Sequence, residues 1–349
     1  MKEQIVNAKK LCDTLQVVIE RKPYDKIFVL TDVHTQRQCL PLLPDLGFTN
    51  ICIGDTDANK TMQSLDYVLR MLVEGGASRH SLLINLGGGV VTDLGGFAAA
   101  IFKRGADYVN IPTTLLAMVD AAVGGKTGIN FGGLKNEVGV FKAPVSVLIN
   151  TCFLKTLGME ELMSGFGEVL KHALLDTRQM WARVLNLDIS SDAVNPDNLQ
   201  QLVYENVKVK TRYVDEDPLE QGIRKALNFG HTFGHAFESF SFQQPGAKPV
   251  KHGYAVAFGM ICELYLSVVK LGFPTDVMRQ TVNFIRENYG TTPIECRHYD
   301  TLIEFMRHDK KNMGGRMRPV LLRDIGQPDI DISITDDDAR EAFDFFREG

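Results

Sequence analysis

The chain of 349 residues has few cysteines, and none of the six lies in a CxxC pair. A count this low is thin for a disulfide scaffold and predicts reduced, mostly buried thiols in a cytoplasm. Basic residues are not in excess either, since 38 Lys and Arg stand against 43 Asp and Glu, a net charge of −5. The chain therefore lacks the global positive field that favours binding to nucleic acid or to an anionic membrane.

Long uninterrupted apolar runs are also missing. The opening segment MKEQIVNAKKLCDTLQ has no apolar core of the kind that a signal peptide carries. The most apolar long window, 254–272, contains Glu263 and Lys270 and is predicted to be a buried helix of a soluble protein. Apolar residues still make up 44% of the chain, which indicates a globular protein of about two domains rather than a disordered one.

Short β-branched runs alternate with helical patterns in the first part of the chain. The predicted strands are 25–33, 48–54, 81–89 and 107–114, and the predicted helices are 64–76 and 92–105. This alternation predicts a mostly parallel, Rossmann-like α/β sheet that binds ligands at the carboxyl ends of its strands. From about residue 157 the apolar spacing is helical. We therefore predict an α/β domain at 1–155 and a mainly α-helical domain at 156–349.

Three glycines, Gly87, Gly88 and Gly89, follow the third predicted strand where it runs into a helix. Glycines there let the backbone approach a pyrophosphate, and the amides at a helix N-terminus favour negative charge. The spacing differs from the GxGxxG fingerprint, because Thr92 stands at the position of the last glycine. The turn is therefore compatible with a nucleotide phosphate site and equally with close helix–sheet packing.

A group of histidines and a carboxylate suggests a metal site. His231 and His235 are four residues apart and so share one helix face, His252 follows, and Glu168 interrupts an otherwise apolar helix. Nitrogen and oxygen donors without cysteine suit Zn²⁺ or a similar divalent ion with an open position. The spacing is not HExxH, which excludes metalloprotease chemistry of that type. Hydrogen-bonded core histidines are the alternative.

Several cations sit among glycines and apolar residues instead of along a polar helix face. They are Arg104, Lys126, Lys135, Lys171, Lys210, Arg224, Lys310 and Lys311. Gathered in one site, they would bind phosphate and carboxylate groups. Taken singly, each is equally well explained as a surface residue that keeps its charge in water.

These segments together resemble the 3-dehydroquinate synthases of the sugar-phosphate cyclase group, over nearly the whole chain. The most specific segment is PTTLLAMVDAAVGGKTGINFGGLKNEVGVF at 112–141. The others, in the order of the family, are GGGVVTDLGG (87–96), SGFGEVLKHALL (164–175), DPLEQGIRKALNFGHTFGH (217–235), HGYAVAFGM (252–260) and DKKN (309–312).

The resemblance implies conversion of 3-deoxy-D-arabino-heptulosonate 7-phosphate into 3-dehydroquinate and phosphate, a step of the shikimate pathway. The implied steps are transient oxidation, phosphate elimination, reduction and intramolecular aldol closure. NAD is used catalytically, because the hydride taken in the oxidation is returned in the reduction. An NAD-binding α/β domain, a helical metal domain and an active site between them are implied, in a cytoplasmic homodimer. The implied partner is a small phosphorylated keto-acid sugar, with neither nucleic acid nor membrane involved.

The resemblance also implies residue roles. Zn²⁺ or Co²⁺ would be held by Glu168, His231 and His252. His235 would then be no ligand but a group that hydrogen-bonds to a metal ligand or to the substrate. The implied NAD-binding residues are Asp55, Lys60, Gly87, Gly88, Gly89, Val90, Val91, Thr92, Asp93, Thr113, Thr114, Lys126, Lys135, Phe153 and Thr156. The implied catalytic residues are Asp120, Lys171, Lys210, Glu220, Asn228 and His235. The implied substrate-binding residues are Lys126, Lys135, Asn136, Arg224, one of Lys310 and Lys311, and Arg104 from the neighbouring subunit.

The chain departs from the family pattern in two places, and other functions stay open. Tyr254 stands where the family commonly has glutamate, and the segment between His235 and His252 is a few residues longer. Another cyclase, such as 2-deoxy-scyllo-inosose synthase, would act on glucose 6-phosphate, whereas Arg224 and Lys210 favour a carboxylated substrate. A metal-dependent polyol dehydrogenase and an inactive NAD- or phosphate-binding regulator are the remaining alternatives.

Overall fold

The computed structural model describes residues 4–132, 134–189, 196–244, 246, 248–308 and 316–348. The chain forms two compact units, Met1–Leu162 with Ser190–Thr211, and Met163–Ile189 with Arg212–Gly349. The late segment Ser190–Thr211 joins the first unit through Gln200, which is buried. Its side-chain oxygen accepts hydrogen bonds from the backbone and hydroxyl of Thr151, and its amide donates to Asn7 at 2.6 Å.

The first unit contains a six-stranded parallel sheet and a separate hairpin. Its strands are β1 (Gln4–Asn7), β2 (Ile27–Asp32), β3 (Thr49–Ile53), β4 (Leu82–Gly87), β5 (Asp107–Pro112), β6 (Lys126–Phe131), β7 (Leu134–Phe141) and β8 (Ser146–Ile149). The sheet has the order β1-β8-β5-β4-β2-β3, and β6 pairs with β7 in an antiparallel hairpin. The helices of this part are α1 (Leu11–Glu20), α2 (Val33–Gln38), α3 (Met62–Glu74) and α4 (Gly89–Ile101).

The predicted mostly parallel sheet is confirmed, and its sequence explains it. All six residues of β4 are buried, as expected for a parallel strand covered on both faces by helices. The helix predicted at 92–105 begins earlier, at Gly89, because the glycine turn itself forms its first turn. The hairpin β6–β7 has no counterpart in the sequence prediction, since seven of the eight residues of β7 are exposed and show no alternating apolar face.

The strand order places the glycine turn at a reversal of the sheet. From β2 the chain runs outward to β3 and then returns to add β4 on the other side of β2. In doubly wound sheets, ligands bind outside the carboxyl ends of the strands where the order reverses. Because β4 ends at Gly87 and α4 begins at Gly89, the turn lies at this point.

The remainder of the chain is mainly helical, as predicted. Its helices are α5 (Met159–Leu174), α6 (Arg178–Leu185), α7 (Pro196–Glu216), α8 (His231–Phe242), α9 (His252–Leu271), α10 (Thr275–Tyr289), α11 (Tyr299–His308) and α12 (Asp336–Glu348), with the short strands β9 (Leu321–Asp324) and β10 (Gln327–Asp329). Among the described residues, α9 alone is long and apolar enough to cross a membrane by length and composition. It packs against α8, α10 and α12, and 67% of its apolar window is buried.

Two glycines allow α5 and α9 to touch backbone to backbone. A Cβ atom at Gly253 would lie 1.7 Å from the carbonyl oxygen of Ser164, and one at Gly167 would lie 2.3 Å from the carbonyl oxygen of Gly253. The backbone N–H of Gly253 also donates to the Ser164 hydroxyl at 3.1 Å. The start of α9 is therefore held against the middle of α5.

We expect Gly253→Ala to lower the free energy of unfolding by roughly 1–3 kcal/mol, because the methyl group overpacks a contact between two backbones. A urea titration should show a lower midpoint with an unchanged slope. Gly158→Ala is the control, since a Cβ there would meet no atom within 4 Å. Equal midpoints for the two variants would contradict the close helix contact.

Candidate active site

Three helices bring one carboxylate and two imidazoles together in the second unit. Glu168 lies in α5, and His231 and His252 are the first residues of α8 and α9. Their donor atoms lie within 4.8 Å of one another, and both Nε2 atoms are 3.5 Å from Oε1 of Glu168. Ligand atoms at about 2.1 Å from a tetrahedral ion are roughly 3.4 Å apart, so this set fits a metal such as Zn²⁺.

The cluster is strongly charged and buried. Burial raises the pKa of Glu168, but Lys171, His231 and His252 outweigh burial and hold that pKa well below its usual range. Lys171 lies one turn along α5, is itself buried, and contacts the other oxygen of Glu168. Burial lowers the pKa of His252, yet Glu168 and Glu238 raise it to about 10. The carboxylate is therefore ionised and surrounded by positive charge.

His235 borders this cluster without belonging to it. Its ring centroid lies 5.3 Å from that of His231 and 5.9 Å from that of His252. The spacing of four residues would pair His231 with His235 as ligands, whereas the donors that converge on Glu168 are those of His231 and His252. The set implied by the resemblance is thus the set that the tertiary structure brings together.

Asp217 shapes the loop before α8, although the sequence analysis assigned it no role. Its carboxylate accepts backbone hydrogen bonds from Gln221, Gly222 and Arg224 at 3.0, 2.6 and 3.2 Å. Burial raises the pKa of Asp217, but these hydrogen bonds lower it below its usual value. An Asp before a proline and a glycine is the sequence signal for such a turn.

This loop presents the predicted substrate residues of the second unit. Arg224 is 1% exposed, and its guanidinium donates to the Pro218 carbonyl at 2.6 Å. Glu220 adopts a left-handed backbone conformation with φ of 57° and accepts a hydrogen bond from Asn228 at 2.9 Å. A non-glycine residue with such a φ is uncommon and is concentrated at functional sites.

Most of the residues expected to bind NAD lie at the carboxyl ends of four strands of the parallel sheet, of which β8, β5 and β4 are adjacent and β3 is separated from β4 by β2. Asp55 and Lys60 follow β3, Gly87 to Asp93 follow β4, Thr113 and Thr114 follow β5, and Phe153 and Thr156 follow β8. The backbone N–H of Thr113 donates to the Gly87 carbonyl at 3.1 Å, which joins two of these segments. Val91 and Phe153 are fully buried at this edge.

Lys60 links this edge to the hairpin. It is 4% exposed, and its ammonium donates to the carboxylate of Asp93 and to the side-chain oxygen of Asn136. Burial raises the pKa of Asp93, an effect that Lys60 opposes without cancelling. Asn136 has a φ of 52°, and its backbone N–H donates to the side-chain oxygen of Asn130 at 2.9 Å.

The other predicted cations of the first unit differ in burial. Lys210 is 6% exposed, and its ammonium donates to the Asp120 carboxylate at 2.7 Å. Asp120 lies in the π-helical turn Ala117–Ala121. Lys126, Lys135 and Arg104 are exposed, and Arg104 has a φ of 68°. The DKKN motif with Lys310 and Lys311 lies outside the described residues.

Known proteins match the chain along almost its full length. Residues 50–164 match the family model for the 3-dehydroquinate synthase N-terminal domain, and residues 165–312 match that for the C-terminal domain. A 3-dehydroquinate synthase of Parabacteroides distasonis is 49% identical over 99% of this chain and 98% of the relative.

Solved structures agree with the fold. A 2-epi-5-epi-valiolone synthase from Streptomyces hygroscopicus with NAD⁺ and Zn²⁺ matches with a TM-score of 0.83 at 21% identity, over 100% of this chain and 97% of its own. A 2-deoxy-scyllo-inosose synthase with carbaglucose-6-phosphate, NAD⁺ and Co²⁺ matches with a TM-score of 0.81 at 20% identity, over 99% of this chain and 96% of its own. With both family models matched in order and a relative at this identity, the chain belongs to the 3-dehydroquinate synthase family.

Proposed function

We propose that this chain converts 3-deoxy-D-arabino-heptulosonate 7-phosphate into 3-dehydroquinate and phosphate. The observation that carries the proposal is the convergence of the Glu168, His231 and His252 donors. The full-length relative named 3-dehydroquinate synthase supports it. The reaction involves no net oxidation, because the hydroxyl that is first oxidised is later reduced again.

NAD and a divalent ion, Zn²⁺ or Co²⁺, are the cofactors that we propose. Structural neighbours with NAD⁺ and these ions support the assignment, as do the three converging donors and the glycine turn at the reversal of the sheet. When bound, NAD⁺ supplies a reversible hydride acceptor and the ion polarises a substrate hydroxyl. Glu168, His231 and His252 would hold the ion, and Gly87 to Asp93 would receive the pyrophosphate.

The protein's own cations would bind the two anionic ends of the substrate. Arg224 would take the carboxylate, because a planar guanidinium binds both carboxylate oxygens at once. Lys126 and Asn136 would bind the phosphate, with Arg104 from a second subunit. Lys135 would bind at the same end of the substrate, and its ammonium lies 3.4 Å from the Asp57 carboxylate. Charge fixed at both ends orients the sugar ring for chemistry between them.

Polar side chains held in partly buried pairs would orient the substrate hydroxyls. Lys210 is held by Asp120, and Asn228 by Glu220, so each presents a fixed polar group to a substrate hydroxyl. His235 would hold or move a proton at a substrate oxygen next to the ligands. Lys171 would keep the Glu168 carboxylate ionised.

We also propose a cytoplasmic homodimer. All six cysteines are free thiols, which suits a reducing compartment. The hairpin exposes the large apolar side chains of Phe131, Leu134, Val140 and Phe141, and exposed apolar patches are typical of protein interfaces. A second copy that covers this hairpin would support the assignment of Arg104 to a neighbouring site.

Phosphate release from the heptulosonate phosphate tests the proposed reaction. We expect release to require both NAD⁺ and metal, to stop on addition of a chelator, and to produce no net NADH. Stoichiometric NADH formation would instead indicate a dehydrogenase. Turnover of glucose 6-phosphate but not of the heptulosonate phosphate would indicate the inosose synthase reaction.

We expect Glu168→Ala to abolish both metal binding and turnover, since it removes the anionic ligand. Bound metal measured by atomic emission, together with phosphate release, checks this. Glu161→Ala is the matched control, because Glu161 lies on the same helix but is exposed. Full activity of Glu168→Ala with stoichiometric metal would refute the ligand assignment.

Asp55→Ala should weaken NAD⁺ binding by about tenfold or more, because it removes a charged acceptor for a ribose hydroxyl at the end of β3. NAD⁺ affinity is measured by calorimetry on the metal-loaded protein. Asp66→Ala serves as the control, since Asp66 is exposed on α3 and pairs with Arg70. Identical affinities for the two variants would remove Asp55 from the NAD site.

A further inference from the structure

We propose that two buried glutamates, Glu238 and Glu263, are positioning residues for the metal ligands, each acting from one helix on the ligand of the other. Glu238 lies on α8 and orients His252 of α9, whereas Glu263 lies on α9 and fixes the backbone around His231 of α8. The inference rests on the proposed metal site. Neither residue had a metal-related role in the sequence analysis.

Glu238 fixes which nitrogen of His252 is available. The Glu238 side chain is 6% exposed, and its Oε2 lies 3.3 Å from Nδ1 of His252. A carboxylate accepts hydrogen bonds and does not donate them, so Nδ1 carries the proton. The lone pair of the neutral ring is then on Nε2, the atom that lies 3.5 Å from Glu168. Carboxylates that hold a ligand histidine in this way raise its basicity and set its ring orientation.

His231 reaches the same tautomer by a different route. Its Nδ1 lies 3.1 Å from the Phe229 carbonyl, which can only accept, so Nε2 again carries the lone pair. The acceptor here belongs to the backbone just before α8. The orientation of His231 therefore depends on the conformation of that short segment.

Glu263 holds that segment in place. It is fully buried, and its two oxygens accept from the backbone N–H groups of Gly230 at 2.6 Å and Thr232 at 3.1 Å, one on each side of His231. Gly230 has a φ of 78°, a left-handed conformation that suits glycine. A carboxylate at the start of α8 also interacts favourably with the helix dipole.

The two interactions are reciprocal. A displacement of α8 along α9 would lengthen both the Glu238–His252 contact and the Glu263 contacts at the same time. Ser241, one turn after Glu238, adds to this by donating to the Glu238 carbonyl at 2.7 Å and accepting from Val250 at 2.9 Å. The chain just before His252 is thereby tied to α8. Ligand geometry is thus set before a metal arrives.

Metal affinity of the metal-free protein tests this inference without reference to turnover. Zn²⁺ and Co²⁺ titrations by chelator competition should show Glu238→Ala binding 10- to 100-fold more weakly than the wild type, a loss of the size expected for outer ligand partners. Glu238→Gln should lose less metal affinity than Glu238→Ala, because the amide oxygen of glutamine still accepts a hydrogen bond from Nδ1 of His252. Glu263→Gln should bind about tenfold more weakly, since one backbone N–H would face an amide donor. The visible spectrum of bound Co²⁺ should change in Glu238→Ala and Glu263→Gln.

Ser267→Ala is the control for general destabilisation on α9. Its hydroxyl donates to the Glu263 carbonyl at 2.6 Å and accepts from Leu322 at 2.9 Å, away from the ligands. We expect a lower thermal midpoint with wild-type metal affinity and an unchanged Co²⁺ spectrum. Weakened metal binding in Ser267→Ala as large as that in Glu238→Ala would overturn the specific role of the glutamates.

The outcomes separate this inference from the proposed function. If Glu168→Ala still binds metal, the proposed metal site itself fails. If Glu168→Ala loses the metal while Glu238→Ala and Glu263→Gln bind it with wild-type affinity and spectrum, the site stands and the positioning role is overturned. Circular dichroism of each variant confirms folding, and the Glu238 variants decide the question should Glu263→Gln fail to fold.

Discussion

The second unit depends on one buried negative charge, the carboxylate of Glu168. An ionised carboxylate without solvent costs several kcal/mol unless it is paired within the protein. Lys171 supplies one partner from the same helix, while His231 and His252 must come from α8 and α9. Three helices are therefore required to meet at one point, and the cluster that balances the charge of Glu168 is also the set of donors that suits a divalent ion.

Close helix contact makes this meeting possible. Gly167 and Gly253 remove the side chains that would hold α5 and α9 apart, and Gly253 directly follows His252. Glu238 and Glu263 then fix the relative placement of α8 and α9 through side-chain and backbone hydrogen bonds. The second unit thus uses small residues for proximity and buried carboxylates for orientation, which a metal site needs together.

The first unit uses strand direction for the same purpose. Parallel strands bring their carboxyl ends to one edge, so that loops distant in sequence collect there. At this edge Lys60 is held by Asp93 and Asn136, and Thr113 is bonded to Gly87. The glycine turn after β4 does not by itself distinguish a phosphate site from close helix–sheet packing. At the reversal of the strand order, however, it lies where open α/β sheets bind their ligands.

The sequence alone predicts four of the six parallel strands, β2 to β5, and the helical second part, and its motifs indicate the family and predict the donors Glu168, His231 and His252. Apolar periodicity reports burial, so the exposed strand β7 escaped it. Spacing along one helix pairs His231 with His235, and the family motifs replace His235 by His252. The tertiary structure supplies the physical reason, because the donors that converge on Glu168 are those of His231 and His252. Only the tertiary structure reveals the partners of Glu238 and Glu263. An acidic residue in a helical pattern does not reveal its partner, because that partner lies on another helix and is chosen by packing.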